Sequence, residues 1–597
     1  MTESNSPGIH STPEPHAFQP LPLTIYTGIF IHCPSLNQLS INKGYVCVNE
    51  HGRIAYTDLT KIDEGYVPSQ SNYGKEENDV SLDVEAITRK VGWEEKRNEV
   101  KVLIAGGKEG HGFWFPGFVD THIHASQTPN ASFFGRTTLL SWLERYTFPL
   151  ESLLNSPDHA SSVYTTCIRQ TLSHGTTTAA YYATICAPST NMLAALCLRY
   201  GQRAFVGRCN MDTNLSPEYY RDISSEEALN STKSTIAYCD AIDPHSELIT
   251  PIITPRFAPS CTHSLLSELG SLSNPSASHP NGLPIQTHLS ENLDEISLVN
   301  SMFPDSPDYT SVYAFHNLLT QRTVLAHSIH LSPSEIRLIK KHDSGISHCP
   351  VSNSALGSGL CHVRSLLDAG VKVGLGTDVS GGYSMSILEA VRQSVLVSRL
   401  VGFLASQKET STRELEIQSF KEESQGDIDI NGEPNGSKID ADDSGSQHPS
   451  SCTHPKLSVS ECLYLATLGG ASVLNLSDKI GSFETGKCFD AQYISLAPSP
   501  SPIPNPSPPK KEDETFFPDP TVKIKDLDIT KESNGEAGES LRVAGRGNVR
   551  LFWDRETWHE RIEKWVFTGD DRNTVGVFVR GRCVLRKKGW ELEEEVL

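Results

Sequence analysis

The chain has 597 residues, with 51 Lys+Arg against 72 Asp+Glu, a formal net charge of −21 and 37% hydrophobic residues. At roughly 150 residues per domain it is too long for one small module and suits a barrel of about 250 residues or more with appendages. The negative charge repels phosphate backbones and anionic lipid, which argues against nucleic-acid and membrane-surface binding, and no run of about 18 apolar residues offers a membrane span.

Residues 1–22 are rich in Ser, Pro and His. They lack the cationic start and apolar stretch of a secretory signal and read as a disordered tail. Between 23 and 59, short apolar runs (Thr24-Ile25-Tyr26, Tyr45-Val46-Cys47-Val48, Ile54-Ala55-Tyr56) are broken at Asn42-Lys43-Gly44 and His51-Gly52-Arg53. That pattern predicts antiparallel strands. From about 113 to 400 a β-branched run, a polar residue and a helix-length stretch recur. The predicted strands are 117–122, 176–184, 204–209, 251–257, 283–288, 323–327, 345–348 and 371–377, with helices over 161–172, 334–341 and 384–400. Eight such units predict an α/β fold, a (β/α)8 TIM-like barrel over 113–480.

Residues 409–450 carry eleven acidic side chains against Arg413, Lys421 and Lys438, with no apolar periodicity beyond Leu415-Glu416-Ile417. They predict a disordered acidic insert within about 405–455. A tract opening on Pro/Ser alternation, about 497–548, reads as a surface linker. The runs 575–579 and 583–585 predict two more strands. Since neither terminal β segment is expected to be stable alone, 23–112 and 481–597 are predicted to join into one small β-sandwich domain. The fourteen cysteines are scattered and contain no C-x-x-C pair, which predicts reduced thiols in a cytoplasmic protein and removes the usual structural-zinc motifs.

The chemistry concentrates at predicted strand ends. In Pro116-Gly117-Phe118-Val119-Asp120-Thr121-His122-Ile123-His124, residues two apart share a face, so Asp120, His122 and His124 point the same way, and two imidazoles so placed can chelate one metal. His288 ends the fifth strand and is followed by Leu289-Ser290-Glu291; His327 ends the sixth; Asp378 follows the eighth. Each alone has a plainer explanation: a core histidine, a carboxylate at a helix start or, for Asp378, a helix cap. Together they lie where barrel enzymes keep their active sites.

This order of motifs resembles the amidohydrolase superfamily, in the branch that binds one metal. More narrowly, Asp120 to Gln127, Trp142 to Pro149, Thr254-Pro255-Arg256-Phe257, Leu375 to Tyr383 and Gly569-Asp570-Asp571-Arg572-Asn573 resemble its guanine-deaminating members. The resemblance implies hydrolysis of guanine to xanthine and ammonia, with one Zn2+ per subunit held by His122, His124, His288 and Asp378. It implies hydroxide attack on C2, Glu291 as proton shuttle, Asp378 as a further proton acceptor, and His327 hydrogen-bonding the attacking oxygen without ligating metal. Substrate contacts are implied for Gln127 and Arg256, on polar atoms away from the reacting carbon, and for Phe257 against the ring, with His124, His288, Glu291 and Asp378 bordering the substrate. Trp142 and Phe148 are candidate pocket walls or core. A homodimer is also implied. Three positions depart from the pattern: Thr128 where Tyr is usual, Ser328 where Gly is common, and Val351 in place of a polar residue. The competing readings are an aminohydrolase of another purine, a pterin or a triazine, and a scaffold that has lost its ligands, although every proposed ligand is present.

Overall fold

The computed structural model describes residues 20–63, 65–66, 82–104, 112–133, 138–426, 456–496, 549, 551, 556–587 and 593–596. Residues 1–19, 427–455 and 497–548 lie outside the described residues, and with them most of the predicted tail and the two predicted inserts.

Eight parallel strand positions follow one another in chain order: Phe118–His124, Thr176–Tyr182, Arg203–Gly207, Ile249–Pro251, Ile285–Leu289, Thr323–His327, Gly345–His348 and Lys372–Leu375. The first four form one hydrogen-bonded sheet and the last four another. Ile253 bridges to Ile285 on one side. On the other, the Asp378 amide donates to the His122 carbonyl at 2.9 Å and the His124 amide to the Val379 carbonyl at 3.1 Å. This is a TIM-barrel-like α/β fold. Every residue of the first two strands is buried, as expected of parallel strands covered on both faces.

Most predicted strands lie within a few residues of their places, and 323–327 and 345–348 coincide with the observed bounds. The predicted 251–257 strand is instead two short pieces, Ile249–Pro251 and Thr254–Pro255, because Pro251 and Pro255 have no N–H to donate to a ladder. The helices obey end signals. Ala187–Tyr200 stops at Gly201, with φ 74°, and Pro333–Lys341 begins with a reciprocal Ser332–Glu335 cap and ends on Lys340 and Lys341.

A helix, Ile387–Gly426, extends into the first part of the tract expected to be disordered from 409 onward, while the rest of that tract, 427–455, lies outside the described residues. Extending an existing helix costs far less than nucleating one, and 409–426 contains Glu, Arg, Leu, Lys and Gln, which favour propagation.

The terminal segments share one nine-stranded sheet. Its path runs Arg582–Arg586, Thr574–Val579, Ala491–Ser495, Gly112–Pro116, Thr24–Ser35, Gln38–Val48 and Ile54–Lys61. Lys101–Ile104 pairs with Thr24–Ser35, and Glu593–Val596 pairs with Lys101–Ile104. Tyr26 stacks on Phe489 at 4.0 Å, and Trp114 packs against Tyr26, Phe489 and Phe578, so the sheet closes over an aromatic core. The buried Arg203–Asp490 pair, at 3.1 Å, fastens this sheet to the third barrel strand. Among the described residues no helix is long and apolar enough to cross a membrane.

Candidate metal and catalytic site

The first strand delivers Asp120, His122 and His124 to different tasks. Asp120 accepts the Thr377 hydroxyl at 2.5 Å, the Thr377 amide at 3.1 Å and the His122 amide at 3.2 Å. It therefore ties the first strand to the segment after the eighth. His122 and His124 turn toward the centre. His122 Nε2 is 3.1 Å from Asp378 Oδ1, and His124 Nε2 is 3.5 Å from the same oxygen and 3.2 Å from His288 Nε2. His288 Nδ1 lies 2.7 Å from the Arg256 carbonyl. A carbonyl only accepts, so the ring proton sits on Nδ1 and the Nε2 lone pair faces the cluster.

His122, His288, His327 and Asp378 bring one ligand atom each within 4.8 Å of one another. The sequence reading had His124 rather than His327 in the ligand set; all five groups lie together. His327 Nδ1 is 2.8 Å from Asn353 Oδ1, and its Nε2 is 3.5 Å from Glu291 Oε2 and 3.7 Å from Asp378 Oδ2.

Electrostatics separates the histidines. Burial lowers the pKa of His122, of His124 and of His288 below the ordinary value. They are held neutral, the form that binds a metal. Burial also opposes the charge on His327, but Glu291 and Asp378 outweigh it and raise its pKa. Asp378, despite burial, is held below the carboxylate range by His122, His327 and His124. For Glu291 burial dominates: its pKa is pushed up to about 7, with His327 opposing and Asp378 adding to the rise. The buried His327 Nε2 has no hydrogen-bond partner. Convergent imidazole nitrogens and a carboxylate in so dry a place fit a divalent cation such as zinc.

Local structure fixes Glu291. It precedes Asn292, the cap of Leu293–Met302, and Glu295 of that capping box accepts the Glu291 amide at 2.8 Å and the Asn292 amide at 3.1 Å. Ser358 donates to Glu291 Oε1 at 3.1 Å.

Beside this cluster lies a second group. Arg256, after the fourth strand, bonds through Nη1 to Glu151 Oε2 at 2.8 Å, and Gln127 Nε2 donates to Glu151 Oε1 at 3.0 Å. Phe257 is buried with Trp142, Phe148 and Tyr220 in one apolar cluster, and the Arg256 guanidinium lies 5.7 Å from the Phe148 ring centre. Among the departures, Thr128 closes its own turn on the Ala125 carbonyl at 2.9 Å. Ser328 has φ 51°, a conformation that favours Gly. Val351 is buried in the first turn of Pro350–Ala355. Sequence reasoning missed Glu151, Asn353 and Ser358. Nothing local in the sequence gives Asn353 its partner, His327, 26 positions away.

The amidohydrolase family profile matches residues 113–416 and 447–584, so fold and site define a metal-dependent hydrolase. A probable guanine deaminase of Schizosaccharomyces pombe is 38% identical over 95% of this chain and 84% of its own length. The guanine deaminase of Homo sapiens is 36% identical over 80% and 83%. The solved guanine deaminase of C. acetobutylicum, with guanine bound in its active site, superposes with a TM-score of 0.64 at 28% identity, covering 94% of this chain and 99% of that one. The chain belongs to the guanine deaminases of the amidohydrolase family.

Proposed function

We propose that this chain hydrolyses guanine to xanthine and ammonia, with one zinc held by His122, His124, His288 and Asp378. The observation that carries the reading is the juxtaposition, at the C-terminal ends of the barrel strands, of the His122, His124 and His288 imidazoles with the Asp378 carboxylate, with Glu291 reaching the same cluster through His327. When bound, zinc lowers the pKa of water from about 15.7 to about 7. The choice of His124 as ligand is supported by distance: its Nε2 lies 3.2 Å from His288 Nε2 and 3.5 Å from Asp378 Oδ1, whereas His327 Nε2 is 3.7 Å from the Asp378 carboxylate.

Glu291, whose pKa burial raises to about 7, takes one proton from the attacking water and passes it to the ring nitrogen; the second proton of that water, taken up by Asp378, leaves on the departing ammonia. Asp378 accepts from and orients the same water, while His327, held by Asn353, donates to its oxygen. Arg256 and Gln127 read the polar edge of the base away from C2, and Phe257 covers its face. A site built to donate to a carbonyl penalises bases that lack one.

Four further readings belong to this proposal. The eight parallel positions make a closed (β/α)8 barrel over 113–480, supported by the hydrogen bonds from Asp378 and His124 across the seam. The described strands of 23–112 and 481–597 make one small β domain, supported by their shared sheet and aromatic core. The chain works as a homodimer, supported by the exposed Leu396, Leu400, Phe403 and Leu404 along one helix. It works in the cytoplasm, supported by the free cysteines among the described residues. The functional test is turnover of guanine beside adenine and a pterin. Guanine alone is converted if the reading holds; equal turnover of the pterin contradicts it.

A further inference from the structure

Glu151 is fully buried and takes no part in the chemistry described above, yet it accepts four hydrogen bonds from three separate loops. Ser126 Oγ and Gln127 Nε2 donate to Oε1, each at 3.0 Å; Tyr220 OH and Arg256 Nη1 donate to Oε2, each at 2.8 Å. These donors come from the turn after the first barrel strand, the turn at Glu218–Tyr220 and the end of the fourth strand position. Arg256 Nη1 and Gln127 Nε2 can only donate, so their partner must accept on both oxygens, which a carboxylate does and an amide cannot. We infer that Glu151 is the positioning residue that fixes how Arg256 and Gln127 face the purine edge, and that it thereby sets the preference for a base carrying a 6-oxygen.

The inference rests on the guanine reading and deepens it. With Nε2 held by Glu151, the Gln127 amide cannot flip, and its Oε1 stays 3.3 Å from the Ser380 hydroxyl. With Nη1 held and the Phe148 ring alongside, the plane of the Arg256 fork is set. The Arg256–Glu151 pair is also electrically neutral, so an uncharged base meets no unpaired buried cation. Without Glu151 the same guanidinium would favour an anionic ligand.

The test uses Glu151→Gln and Glu151→Asp as purified, zinc-loaded enzymes, measuring zinc content, guanine kinetics and inhibition by 2-aminopurine, which is guanine without its 6-oxygen. In Glu151→Gln, zinc stays at one equivalent, KM for guanine rises about tenfold or more with a smaller change in kcat, and the Ki of 2-aminopurine moves far less, so the preference for the 6-oxo base collapses. Glu151→Asp keeps two accepting oxygens and recovers part of that preference. A parallel rise in KM and Ki in either variant reduces Glu151 to a packing role and overturns the inference, as do unchanged guanine kinetics. If Glu151→Gln fails to fold, the Glu151→Asp ratio decides by the same rule. Absence of guanine turnover in the unmodified enzyme overturns the functional reading, and this inference with it.

Discussion

Ser290, His327, Ser328 and Asp378 all hold positive φ, at 48°, 64°, 51° and 47°. Such positions cost non-glycine residues about 1 to 3 kcal/mol each and persist only where their surroundings enforce them. Here the enforcement is hydrogen bonding across strand ends: Asp378 to the His122 carbonyl, Ser328 to that of Leu289, and Ile329 to that of Ser290. The sharp turns aim His327, Glu291 and Asp378 at a common point. These residues were legible in the sequence because H-x-H on one strand face and polar residues closing β-branched runs are local patterns. Glu151 was not, since its partners Gln127 and Arg256 lie 24 and 105 positions away and nothing local distinguishes it from a surface helix carboxylate. At this scale the account predicts that Glu291→Gln keeps zinc and its Ser358 contact but lowers kcat by about 10²- to 10⁴-fold. Metal analysis with steady-state kinetics checks this, and near-normal turnover would remove Glu291 from the mechanism.

Elements place those residues through their ends. The Asn292–Glu295 capping box satisfies the start of Leu293–Met302 and also pins the backbone of Glu291, while the other oxygen of Glu295 accepts from Tyr309 OH at 2.9 Å. Glu295→Ala is therefore expected to cost about 1 kcal/mol or more of stability and to lower kcat through a displaced Glu291, with metal content unchanged. Thermal melts beside kinetics check it; a lower Tm with normal kcat would confine Glu295 to folding. Strand positions were readable from β-branched runs, whereas boundaries shifted where Pro251 and Pro255 interrupt the ladder. The helix through 426 escaped composition-based reading because a low-hydrophobicity segment can be carried as the continuation of a packed helix.

Across the whole molecule, what the sequence left unread was long-range pairing. Gly112–Pro116 and Ala491–Ser495 lie nearly four hundred positions apart, yet their antiparallel pairing joins the two ends of the chain; at five residues each is too short to announce a partner. Two buried histidines make the assembled fold sensitive to acid. Burial lowers His32 from 6.5 to about 4, with Glu484 opposing and Lys487 assisting, and burial with the His327 charge lowers His348 from 6.5 to about 3. Above pH 6.5 each is neutral folded or unfolded; as pH falls below that value the unfolded chain binds protons that the fold refuses. Stability is thus complete above about 6.5 and declines toward about 4, by up to about 1.4 kcal/mol per pH unit for each histidine. Because buried Glu291, raised to about 7, contributes the opposite slope, the check is a series of melts from neutral to mildly acid pH on the unmodified protein beside His32→Gln: the difference in Tm should shift in favour of the variant as pH falls, and a difference that does not change with pH would contradict the assignment.

The central claim joins metal and base in one reaction, and it is tested most directly by following guanine conversion to xanthine in the ultraviolet with zinc-loaded, metal-stripped and zinc-restored protein. The account predicts turnover with zinc, its loss on stripping and its return on restoration at one equivalent per chain. A protein carrying one equivalent of zinc that leaves guanine unchanged would contradict it.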